Sequence, residues 1–177
     1  MAMQSLKSQV PEGDGQVDQA IAESVRLARG RGAAFERIGA NLPGQTRTYR
    51  RQTGLDWLAA KGRLSPGQHA AGLRYGAIYR QVRAEPGLRS SLSLEPGQGG
   101  GRPLSAVLGQ AEARMRAGDT LLKLRRILGQ QAALVAACDL ICGEELTPRE
   151  ATGNDREAGR MEAVLAVALD LLSLNSV

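Results

Sequence analysis

SPGQHAAGLRYGAIYRQVRA, residues 65–84, decides the fold. Ser65 suits an N-cap, Pro66 the first helical position, and Gln68 completes a capping box three residues on. Ala71, Tyr75, Ile78 and Val82 recur at helical spacing with Tyr79 beside them, while His69, Arg80 and Arg83 fall on the opposite face. Pro86 disfavours helical geometry in its predecessor, so the helix stops before Glu85. Upstream, GLDWLAAKG at 54–62 predicts a short helix capped by Thr53 and ended by Gly62. The turn from Gly62 to Ser65 makes the two a helix-turn-helix-like pair. It holds Trp57, expected to nail the helices together, and His69, expected at the surface.

Toward the N-terminus, residues 1–15 are polar, and Val17, Ala20, Ile21 and Ala28 predict an amphipathic helix ended by Gly30. Residues 33–38 predict a short second helix. NLPGQTRTYRRQTG, 41–54, predicts an exposed arm with Arg47, Arg50 and Arg51 around Tyr49. Such an arm suits a phosphate backbone, and a solvated linker is the alternative.

Toward the C-terminus, the Gly, Pro and Ser of 87–101 predict a flexible linker. A helix from Pro103 through Leu108, Ala111, Met115 and Leu122 to Gly129 follows. QQAALVAACDLICG, 130–143, is apolar nearly all round and predicts a core helix. Thr147 caps a short turn through Pro148, Arg149 and Glu150. The last helix starts at Asn154 or Asp155 and carries the stripe Met161, Val164, Leu165, Ala168 and Leu172.

The expected fold is therefore all-α and without a sheet. It divides into a polar segment and helix at 1–46, a basic helix-turn-helix-like unit at 47–86, the linker at 87–101, and a C-terminal helical domain at 102–177. Aromatic residues make up 3% of the chain, which favours helical packing over a sheet.

The net charge is +5, but its distribution says more. Between Arg26 and Arg89 stand thirteen basic residues against Glu36, Asp56 and Glu85; between Asp139 and Glu162, seven acids face three arginines. Arginine suits bidentate phosphate contact, although a GC-rich genome produces the same bias. The C-terminal half repeats a helix-turn-helix order, yet Asp155 and Glu157 at the start of its last helix would repel phosphates. That half suits a protein partner.

The chemistry of catalysis is sparse. One histidine without a Ser or Cys motif leaves no base for a triad, so no enzyme is expected. Cys138 and Cys142 lack further soft ligands apart from His69, which predicts a buried pair of small hydrophobes rather than a metal site. Glu144, Glu145, Glu150 and Asp155 lack the alternating spacing of a calcium loop. The Gly-rich segment lacks the strand and GK[ST] signature of a phosphate loop, so no cofactor is expected. No signal peptide and no membrane span are legible, and a cytoplasmic location is the expectation.

LDWLAAKGRLSPGQHAAGLRY, 55–75, resembles the opening of an uncharacterised alphaproteobacterial and phage helical domain, through Leu55, Leu58, Leu64-Ser65-Pro66, Ala71-Gly72 and Tyr75. Residues 111–128, then CDLICGEE and MEAVLAVALDLL, resemble its C-terminal helices, so the likeness spans about 55–174. The resemblance implies a phage-like or gene-transfer-agent regulator acting in transcription.

The expected function is thus a DNA-binding transcription regulator. Its phosphate contacts would come from Arg47, Arg50, Arg51, Arg63, Arg80 and Arg83, with Gln68 and Gln81 as candidates for base edges. The acidic C-terminal domain would meet RNA polymerase, another protein or a second copy of itself. The alternative is a structural or assembly protein of a phage-like particle, such as a DNA-packaging adaptor working as a ring.

Overall fold

The computed structural model describes residues 24–38, 48–84 and 104–175. Among them the chain forms seven helices and one small sheet. Helical residues 24–30 (α1) lead into strand β1, Phe35–Ile38, which pairs antiparallel with β2, Thr48–Arg51. Then come α2 (Gly54–Ala60), α3 (Pro66–Arg83) and α4 (Leu104–Ile127). Helix α5 (Ala132–Cys138) runs into a π-helical turn at Asp139–Gly143, followed by α6 (Pro148–Thr152) and α7 (Asp155–Leu174).

The sheet corrects the expectation of a fold without one. Residues 35–38 are strand rather than a second helix, and Thr48–Arg51 is its ladder partner rather than a free arm, with Phe35 opposite Arg51 and Arg37 opposite Tyr49. Gln52 N–H extends the pairing to the Ala34 carbonyl at 2.9 Å. Two four-residue strands carry too little alternation to announce themselves, and their pairing is set by partners distant in sequence. The expected linker at 87–101, the polar segment at 1–15 and Arg47 lie outside the described residues.

The caps appear where local chemistry demands them. Ser65 and Gln68 form the reciprocal capping box of α3, and the helix ends at Arg83. Thr53 caps α2 by accepting from Asp56 N–H. Thr147 and Glu150 form a second capping box on α6, and Asn154 accepts from Glu157 N–H to start α7. Glycines in the left-handed region follow α2, α4 and α6, at Gly62, Gly129 and Gly153.

One hydrophobic core joins residues on both sides of the Gly-rich segment. Leu55, Leu58, Ala71, Tyr75 and Tyr79 pack with Leu121, Leu124, Leu128, Ile141, Leu165, Ala168, Leu169 and Leu172. Cys138 and Cys142 are free, buried members of it, and the Cys142 thiol is pushed well up by its hydrogen bond with Cys138 and by burial. Helix α3 approaches the π-turn with almost no separation because Gly72, Gly76 and Gly143 line the contact. In α7 the buried face holds Leu165, Ala168 and Leu172 as expected, with Leu169 added.

Helix α4 turns the other way. Its buried residues are Ala117, Leu121 and Leu124, with Leu128 just past its end, whereas Leu108, Met115 and Leu122 are exposed. Leucines on both faces give two candidate stripes, and only the tertiary partners choose between them.

Trp57 is likewise not the central nail. It is half-buried at the rim of the core, with Lys61 Nζ 3.8 Å from its ring centroid, and the fully buried contacts between α2 and α3 belong to Leu55, Leu58 and Tyr75. Trp57→Ala is therefore expected to cost about 1–2 kcal/mol, below the ~3–5 of a fully buried tryptophan. Urea unfolding checks it; a loss beyond 3 kcal/mol on that scale would place the ring inside the core.

Candidate nucleic-acid interface

The arginines fall into two groups with opposite surroundings. On α3, Arg80 Nη1 donates to the Cys142 carbonyl at 2.9 Å and pairs with Glu145 Oε1 at 2.9 Å. Arg83 pairs with Glu144 Oε1 at 2.8 Å, on the same carboxylate that accepts the Tyr79 hydroxyl at 2.8 Å. Arg63, in the turn before α3, reaches Glu162 Oε2 at 3.4 Å. Burial, and then the Glu144 hydrogen bond, raise the Tyr79 phenol above its ordinary value. These cations fasten α3 to the acidic segment after the π-turn and to α7.

The glutamines divide as well. Gln68 Nε2 donates to Asp170 Oδ1 at 2.8 Å while its Oε1 serves the capping box, so both ends of the amide are engaged. Gln81 is exposed on α3. His69 Nε2 lies 2.9 Å from Asp56 Oδ1. Burial pushes the Asp56 carboxyl up, but its hydrogen bonds with His69 and Thr53 outweigh this and hold it below the usual value.

The second group gathers around α1 and the hairpin. Arg26 and Arg29 are exposed one turn apart on α1, Arg31 is exposed in the turn that follows, and Arg29 stacks 5.4 Å from the Tyr49 ring centroid. None of the three has a carboxylate within ion-pair distance among the described residues. Arg50 touches Glu36 only at 3.9 Å, both side chains being well exposed. Arg51 reaches Glu150 Oε1 at 2.8 Å, which docks the hairpin on α6. Thr147 Oγ1 completes that docking by donating to the Gly32 carbonyl at 2.8 Å.

Arg31 and Arg51 line the rim of a cavity of about 410 Å³ whose walls include Leu27, Ala28, Ala33 and Phe35. The sequence points to Arg50, Arg51 and Tyr49 here and touches Arg29 and Arg31 only through RGRG at 29–32, four residues that by themselves prove no nucleic-acid contact; Arg26 is not among the expected contacts. The signal in the sequence is an arginine pair at i, i+3 on a short helix, Arg26 and Arg29, whose second member opens RGRG. Among the described residues no group of three or more His, Cys, Asp or Glu side chains could hold a metal ion, and no helix is long and apolar enough to cross a membrane.

No family model, no curated protein and no solved structure matches the chain.

Proposed function

We propose that the protein is a DNA-binding transcription regulator of the phage-like or gene-transfer-agent type, and that α1 and the hairpin are its phosphate-facing surface. The observation that carries this reading is the contrast between the two arginine groups. Arg63, Arg80 and Arg83 already have carboxylates, so a phosphate would have to displace Glu162, Glu145 or Glu144. Arg26, Arg29 and Arg31 have none among the described residues; Arg29 lies over Tyr49, and Arg31 shares a cavity rim with Arg51. Exposed guanidiniums are strongly attracted by a polyanion and release its counterions on binding. The stretch from Asp139 to Glu162, with seven acids against three arginines, is the part that suits a protein partner such as RNA polymerase.

Fluorescence anisotropy of the full chain with duplex DNA at two salt concentrations tests the proposal. Replacing Arg26, Arg29 and Arg31 together by Ala should weaken binding to every sequence about equally and lower the salt slope by up to ~3. An unchanged slope would move the surface elsewhere. Absence of salt-dependent binding by the unaltered chain would remove the DNA-binding reading altogether. A second reading, a DNA-packaging adaptor built as a ring, draws support from the exposed apolar residues of α4, which would serve subunit contacts. A native mass of many copies favours it.

A further inference from the structure

The cavity where α1, the hairpin and α6 meet has a volume of about 410 Å³, within the range of small-molecule sites. Sequence spacing builds its walls. Ser24, Leu27, Ala28 and Arg31 stand at i, i+3, i+4 and i+7, so they share one face of α1. Arg31 lies in the turn that prolongs the helix, where its N–H still bonds the Leu27 carbonyl at 3.3 Å. The hairpin supplies a second wall: Phe35 pairs with Arg51 across the ladder, which sets ring and guanidinium stem on one face of the sheet. Bonds at the joints hold this frame. Thr147 Oγ1 donates to the Gly32 carbonyl at 2.8 Å, and Gln52 N–H to the Ala34 carbonyl at 2.9 Å.

The charges at the rim do not cancel. Glu150 is committed twice, through Oε1 to Arg51 at 2.8 Å and through Oε2 to the Thr147 N–H at 2.8 Å. Arg51 is thereby answered. Arg31 is exposed and has no carboxylate within ion-pair distance among the described residues, so one positive charge is left over. Apolar surface is left over as well, since Leu27 is 63% exposed beside Ala28 and Phe35.

We propose that this cavity binds a small carboxylic acid with an apolar body, such as a medium-chain fatty acid. Its carboxylate pairs with Arg31, and its chain covers Leu27, Ala28 and Phe35. A guanidinium holds a carboxylate in bidentate geometry, and a single surplus charge matches a monoanion. A nucleobase fits poorly, because its polar edges would need partners that these apolar walls do not offer. A bare anion would leave the walls wet. The consequence for regulation rests on the DNA-binding reading: the bound acid neutralises a cation that otherwise faces phosphate, and so weakens the grip on DNA.

Amide NMR of the full chain titrated with octanoate tests the site without DNA. Saturable shifts should gather on residues 27–35 and on Arg51. Acetate, which lacks the chain, and octanol, which lacks the charge, should each bind at least ~10-fold more weakly. Arg31→Gln should cost octanoate at least ~10-fold and leave octanol unchanged. Leu27→Ala should weaken octanoate and octanol alike, and decides the matter should Arg31→Gln lose its native spectrum. No saturable shift, shifts confined to other parts of the chain, or acetate or octanol binding as tightly as octanoate would overturn the site. At matched ionic strength, saturating octanoate should weaken binding of duplex DNA by the unaltered chain at least ~3-fold. Unchanged DNA affinity would overturn the coupling. Octanoate binding by a chain that binds no DNA would remove the DNA-binding reading and leave the site standing.

Discussion

Gly76→Ala is expected to destabilise the protein by about 3 kcal/mol or more, at the upper end of what overpacking costs. The added Cβ would collide with the Cys142 carbonyl oxygen, with the carbonyl carbon 3.0 Å away and Arg80 Nη1 at 3.1 Å. These atoms cannot move independently. The Cys142 carbonyl belongs to the π-turn, and the Arg80 guanidinium that donates to it also pairs with Glu145. Relieving the collision separates α3 from the turn and breaks those bonds as well. The helical gain of Ala over Gly, about 1 kcal/mol, offsets only part of the loss. On a domain of this size the melting temperature should fall by roughly 10 °C. Gly72→Ala should be milder, since its Cβ meets the methyl ends of Leu55 and the Cys142 sulfur, which can shift. Gly159→Ala on the exposed face of α7 meets nothing within 4 Å and should stabilise slightly. Thermal unfolding of the three variants checks the order; a Gly76→Ala protein that melts with the unaltered chain would mean that α3 and the π-turn do not approach so closely.

That contact marks a boundary of what sequence can tell. The caps of α3 and α6 were legible because Ser65-Pro66 with Gln68, and Thr147-Pro148 with Glu150, act over one turn of chain. The buried tyrosines were legible from their spacing with Ala71 and Val82. The close approach at glycines 72, 76 and 143 was not legible, because what meets Gly76 and Gly143 comes chiefly from residues more than sixty positions away, and what meets Gly72 comes from Leu55 on another helix and from Cys142. The π-turn was hidden for a related reason: an apolar run announces burial but not the number of residues per turn.

The candidate site divides along the same line. Residue types point to a cation-rich half, but which cations remain open to a ligand depends on where the acidic half folds. Thirteen bases between Arg26 and Arg89 and seven acids between Asp139 and Glu162 are two halves of one set of internal pairs as readily as two surfaces for two partners. Arg80, Arg83 and Arg63 turned inward onto that acidic half. The α1 arginines, which lie farther from it in sequence, did not.

Asp139→Ala should be the most costly change among the polar residues, at about 3 kcal/mol, the size expected when one partner of a largely buried charge pair is removed. Asp139 opens the π-turn and uses both carboxylate oxygens. Oδ1 accepts from the Tyr75 hydroxyl at 2.6 Å, and Oδ2 accepts from Arg125 Nη2 at 2.8 Å. Tyr75 is fully buried, and burial, with the Asp139 hydrogen bond behind it, holds its phenol well above the ordinary range. The hydroxyl therefore stays protonated, donating to Asp139 while its oxygen accepts from Arg125. Without the carboxylate its proton keeps no acceptor among the described residues, and Arg125 loses its only ion pair among them while its Nε is already buried without a partner there. Tyr75→Phe alone removes one donor and leaves Asp139 its arginine, so it should cost about 1 kcal/mol. The two changes act on one network, and the double variant Tyr75→Phe with Asp139→Ala should lose less than the sum of the single losses, because the stranded hydroxyl is gone. Asp139→Asn should fall between, keeping an acceptor for Tyr75 but no charge for Arg125. Urea unfolding of the four variants supplies the cycle. Strict additivity would separate Tyr75 from Asp139 energetically and leave the 2.6 Å contact without the role assigned to it.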